Sequence, residues 1–154
     1  AYLHYHHRNI REASVGLVAP KIRKDLDIPE SIQASAKRNL TVALNTLEKG
    51  YLSDNKFLMG DTVMLADLAA YVEIGQLQPQ FTNVFDLTSF PNVSRWLTDM
   101  SQVEGHDDVH VVLKELGDIS KIAPDMDAIK NANKQALRAL KAKLATLQLL
   151  QEKS

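Results

Sequence analysis

The stretch Phe57-Leu58-Met59-Gly60-Asp61-Thr62-Val63-Met64-Leu65-Ala66-Asp67-Leu68 constrains the fold of this chain more than any other. It reads as a loop that turns on Gly60 and then drives into an apolar helix from Leu65 to about Leu77. Asp67 falls three residues past the expected cap, Met64, where its carboxylate can reach back to the Met64 backbone N–H. Val63, just ahead of the cap, is spaced to pack on Leu68. These are a capping box and a hydrophobic staple. Met64 brings no cap oxygen, a loss of about 1 kcal/mol, so the helix start has to lean on the staple and on tertiary packing. Gly60, Asp61 and Asp67 are therefore read as a structural capping motif, and Asp67 as a cap rather than a general base.

A chain of 154 residues can bury one core, and 45% hydrophobic with 24% charged residues is ordinary for a globular domain. A net charge of −1 gives no overall pull toward nucleic acid or anionic membranes. The lack of cysteine excludes disulfides, a thiolate nucleophile and thiolate metal sites, and fits a reducing compartment such as the cytoplasm. No apolar run approaches the ~18 residues that span a bilayer, and no signal-peptide pattern opens the chain. The opening on Ala1-Tyr2-Leu3, already in mid-pattern, leads us to expect a module of a longer protein.

Gly and Pro are few and apolar residues recur at helical spacing almost throughout, so the expected class is all-α, a bundle of about five to seven helices. A first helix from Tyr2 puts Leu3, His6 or His7, Ile10, Ser14, Leu17 and Val18 on one side, with Gly16 and Pro20 bracketing a bend. Pro29 opens a second helix, whose stripe is Ile32, Ala36, Leu40, Ala43, Leu44, Leu47 and Tyr51. The motif helix should bury Leu65, Leu68, Ala69, Val72 and Leu77. After an aperiodic loop, Pro91-Asn92 starts a helix with Val93, Trp96, Leu97, Met100 and Val103 inside. Asp107 or Asp108 caps a short helix ending at Gly117. Pro124-Asp125 then starts a long amphipathic C-terminal helix. We therefore divide the chain into a helical domain at 1–120 and a helical extension at 121–154.

Three motifs in this order resemble the C-terminal all-α domain of the glutathione transferases. The family's helix start reads roughly Phe-Leu-x-Gly-Asp, a spacer, Ser or Thr, any residue, Ala, Asp. The chain matches at Phe57, Leu58, Gly60, Asp61, Ala66 and Asp67, and departs at Met64. Pro91-Asn92-Val93-x-x-Trp96 resembles the family's proline-led helix. Tyr2-Leu3-His4-Tyr5-His6-His7-Arg8-Asn9-Ile10-Arg11 resembles the theta-class opening, Tyr-Leu-x-Trp-His and a later Arg, with Tyr5 in place of the Trp and Arg11 at the arginine.

The resemblance implies the electrophile-site half of a two-part enzyme. A thioredoxin-like N-terminal domain in cis would hold glutathione, the co-substrate, and activate its thiol. No strand-period segment here builds that domain, so the chain alone is not expected to be catalytic. Arg11 could meet the glutathione carboxylate or the substrate mouth, since a guanidinium offers a planar donor fork; its bland alternative is a surface pair with Glu12 or another acid. Arg8 lies on nearly the same face, where some theta members carry an acid. Tyr5 faces the expected cleft. His4 with His7, and His106 with His110, are i,i+3 and i,i+4 pairs, but no carboxylate completes either in sequence and no metal is expected.

Leu137, Leu140, Leu144 and Leu147 make two heptads of an a/d seam in the tail, with Lys130, Lys134, Arg138, Lys141 and Lys143 around it. We expect this helix to dock on the domain or on a protein partner, rather than on lipid, because its apolar face lacks aromatics. The resulting expectation is a domain that joins a homodimer or protein complex. The alternative to a transferase half is a non-catalytic interaction or scaffold module.

Overall fold

The computed structural model describes residues 2–12 and 14–151, and for Leu3, His4, Arg8 and Ser14 the backbone alone. Among the described residues eight α-helices carry the fold: α1 (Tyr2–Asn9), α2 (Ala19–Ile22), α3 (Glu30–Thr46), α4 (Leu65–Ile74), α5 (Pro91–Ser101), α6 (His106–Val109), α7 (Val111–Leu116) and α8 (Met126–Gln151). A π-helical turn at Ser14–Val18 runs into α2, a second at Leu47–Tyr51 continues α3, and a 3₁₀ turn at Gly75–Leu77 finishes α4. Among the described residues there is no strand. The chain is all-α, as the helical spacing implied.

The core lies where α3, α4 and α5 meet. Leu40, Ala43, Leu44 and Leu47 form the inner stripe of α3; Ala70, Tyr71 and Ile74 that of α4; Val93, Trp96, Leu97 and Met100 that of α5. Tyr2 and Ile10 cover it from the α1 side. The α3 and α5 stripes follow the sequence spacing closely, except that Ile32 is exposed at the open first turn of α3.

The buried face of α4 differs from the expected one. Leu65, Leu68 and Val72 point outward, at 67%, 47% and 64% exposure, while Asp67, Ala70, Tyr71 and Ile74 point inward. With Leu68 exposed, the Val63–Leu68 staple is not the anchor of this helix; Val63 packs against the core cluster instead. The physical reason is Asp67. Its two oxygens accept three hydrogen bonds from groups on the core side, which fixes the rotation of the helix.

Gly16 sits where the 14–18 turn meets α3. A Cβ at this position would collide with the Cβ of Ala36, so the π-helical turn and α3 touch almost backbone to backbone. The tail is also rotated from expectation. Along α8, Ala132 is buried and Ala136 and Ala139 are half-buried where the helix runs beside α6 and α7, while Leu137, Leu140, Leu144 and Leu147 stay exposed. Small side chains let the backbones approach, and the leucines are left on an adjoining face. Neither Asp107 nor Asp108 caps the short helix: Gly105, at φ +82°, is the cap, both acids fall in the first turn, and the helix is split at His110 into α6 and α7.

Candidate functional site

Gly60 makes the turn ahead of α4. Its φ of +130° is costly for any residue with a Cβ, and Phe57 and Gly60 exchange two backbone hydrogen bonds at 2.7 and 3.3 Å. Asp61 follows on the surface. The turn brings Leu58 N–H to 2.8 Å from Asp67 Oδ1, which also accepts from the indole Nε1–H of Trp96 at 3.0 Å. Asp67 Oδ2 accepts from Met64 N–H at 3.0 Å. One fully buried carboxylate thus ties loop, helix start and α5 together, and it has no room for a reacting group.

A second buried carboxylate, Glu48, does the same for α5. The helix begins at Phe90-Pro91, which brings no side-chain cap, and Glu48 accepts from Asn92 N–H at 3.0 Å and Val93 N–H at 2.9 Å. The sequence reading missed this cap because it comes from more than forty residues upstream. The only available signal was an acid placed among the apolar residues that close the second helix.

The α1 side holds the sequence-predicted ligand residues. Tyr2 is buried, edge-on to Tyr51 at 5.6 Å, and its hydroxyl has no hydrogen-bond partner among the described residues. Burial, reinforced by Asp67, pushes that phenol well above its ordinary range. One turn on, His6 is half-buried, and burial pulls its imidazole below the usual value against the influence of Glu73. Tyr5 is half-buried against the core, 6.4 Å from Tyr2. Arg11 is exposed in the turn after α1 and forms no ion pair among the described residues; Glu12 accepts instead from Asn39 at 2.9 Å. Tyr5 thus lies mid-helix in α1 and Arg11 in the turn past its C-terminal end. The side chains of Arg8 and His4 lie outside the described residues, and His7 is exposed.

The His106–His110 pair is not splayed around a common point. The rings stack at 4.2 Å, in a column that includes Phe81, Tyr71 and Trp96. His106 Nε2 lies 2.8 Å from the Tyr71 hydroxyl and its Nδ1 2.9 Å from Asp107 Oδ1. Asp107, bonded to Lys114 and His106, is held down to about 2. A carboxylate only accepts, so the Nδ1–H of His106 donates to Asp107. This chain of bonds borders a recess of about 260 Å³ lined by Leu68, Met100, Val103 and Val109. Among the described residues no three side chains are placed to hold a metal.

Residues 10–104 match the family model for the glutathione S-transferase C-terminal domain. The chain belongs to the glutathione S-transferase family. It is 25% identical over 132 residues to glutathione S-transferase theta-1 of chicken (Gallus gallus), covering 80% of this chain and 49% of that protein. Its fold superposes on human glutathione-S-transferase T1-1 in its apo form with a TM-score of 0.62 at 19% identity, covering 90% of this chain and 59% of that one. The domain is thus theta-like, and it spans about half the length of the relative it matches. No helix among the described residues is long and apolar enough to cross a membrane.

Proposed function

We propose that this domain is the electrophile-side half of a theta-like glutathione transferase and conjugates glutathione to small electrophiles once joined in cis to a thioredoxin-like domain. The observation that carries the reading is the outward stripe of α4. Leu65, Leu68 and Val72, with Met64 beside them, form an exposed apolar surface that a globular protein seldom leaves open. The thioredoxin-like domain covers that stripe in this reading. The cleft at the junction takes Tyr5 and Arg8 as substrate-binding residues in this reading, and Arg11 as donor to the glutathione carboxylate. Residues 1–120 then form the transferase domain and 121–154 an extension. The whole protein works as a cytoplasmic homodimer, and this chain by itself turns over nothing.

The test is glutathione conjugation to a small alkyl or aryl halide by the full-length gene product. R11A is expected to lower turnover at least about tenfold, roughly 1.4 kcal/mol of binding or transition-state free energy, with an unchanged urea midpoint. Unchanged turnover in R11A takes Arg11 out of the site. No glutathione binding by the intact protein overturns the transferase reading.

A further inference from the structure

α8 is 26 residues long, about 39 Å, and only its alanine side lies against the domain. Beyond Lys143, which pairs with Asp108 at 3.0 Å, every described side chain of the helix is exposed. Leu137, Leu140, Leu144 and Leu147 repeat at three and four residues on the open face, a seam of the spacing that another helix fills.

The charges beside the seam select the occupant. Lys134, Arg138 and Lys141 lie on one edge of it at helical spacing, and none forms an ion pair among the described residues. From Ala128 to Gln151 the helix contains no acid at all. A second copy of α8 would set two like-charged edges face to face, which destabilises a paired helix. A bilayer is also a poor fit. The apolar face of the helix carries no aromatic side chain, the group that anchors a helix at the lipid interface. The feature that complements both the seam and the edge is a single amphipathic helix with apolar a and d positions and acidic neighbours.

We propose that the leucine seam of α8 is a docking site for an acidic amphipathic helix of a partner protein. The surface is independent of the glutathione-side reading: it uses no residue of α1 or α4.

The experiment uses the intact chain and two synthetic three-heptad peptides, both with leucine at a and d, one with glutamate and the other with lysine at e and g. The glutamate peptide is expected to bind at least about tenfold more tightly than the lysine peptide, and more weakly as salt rises. The triple variant Lys134→Glu, Arg138→Glu, Lys141→Glu should reverse the preference. Leu140→Asn with Leu144→Asn should reduce binding at least about tenfold, with the circular dichroism and Trp96 fluorescence of the parent. Equal binding of the two peptides, or no loss in the leucine variant, overturns the proposal. So does tighter association with phosphatidylserine-containing vesicles, or self-association through the seam, than with the glutamate peptide. Loss of turnover by R11A leaves peptide binding unaltered, so the two readings fail separately.

Discussion

Asp67 satisfies three donors on three segments with two oxygens, and the bonds to Leu58 and Trp96 are buried while that to Met64 is part-buried. Removing it strands the Leu58 N–H and the Trp96 indole in the core, with the Met64 N–H unpaired at the part-buried helix start, and each buried unpaired group costs about 1–3 kcal/mol. D67A should therefore lose about 3 kcal/mol or more of stability, read by urea unfolding through Trp96, the chain's single tryptophan. D67N should fall between the two, because an amide nitrogen must face a donor. The opposite sign is expected one turn earlier. Met64 sits at φ −123°, ψ 169°, the extended geometry of a helix cap, and is exposed. Met64→Ser supplies the missing oxygen and should add about 1 kcal/mol; no gain in urea midpoint would mean that the Asp67 bonds already satisfy this end.

At the scale of elements, the close approach of the 14–18 turn to α3 rests on two small residues. G16A inserts a Cβ where Ala36 already has one, and overpacking of this kind costs about 1–3 kcal/mol. Adding Ala36→Gly to G16A should restore most of that loss in urea unfolding, whereas a merely helix-promoting effect of alanine would make G16A stabilising. Gly16 also shows what the spacing could and could not deliver. The faces of α3 and α5 were legible because each helix is polar on its outer side, so period and phase appear together. Helix α4 is apolar nearly all round, and Leu65, Leu68 and Val72 are as hydrophobic as Ala70, Tyr71 and Ile74. Its phase was set by one buried carboxylate, whose partners Leu58 and Trp96 lie in other segments. In α8 the leucines outweighed the alanines on any hydrophobicity scale, yet it is the alanines that permit contact with α6 and α7. Long-range polar pairs such as Tyr71 with His106, or Glu48 with Val93, left no mark in the spacing.

At the scale of the whole molecule, two half-buried histidines couple folding to acidity. Burial lowers His110, opposed by the His106 carbonyl that its Nδ1 meets and favoured by the neighbouring His106 ring; Tyr71 and Phe81 close its other sides, with Lys114 and Asp107 nearby. Burial likewise lowers His6, which sees Glu73, Arg11 and His7. In the unfolded chain both return to about 6.5, so below that pH the unfolded state takes up protons that the folded state refuses. Stability is then full above about pH 6.5 and declines as pH falls toward the folded values, with a slope of at most about 1.4 kcal/mol per pH unit for each site. Asp107 does not contribute in this window. Held near 2, it adds stability that persists above the ordinary carboxylate range and is lost only as pH drops from there toward 2. Urea midpoints measured at pH 7.5 and pH 5.5 should therefore differ in the parent. In His110→Phe, which keeps the stack on Tyr71 and Phe81 but cannot titrate, the difference should shrink; an unchanged difference would put the acid sensitivity elsewhere in the fold.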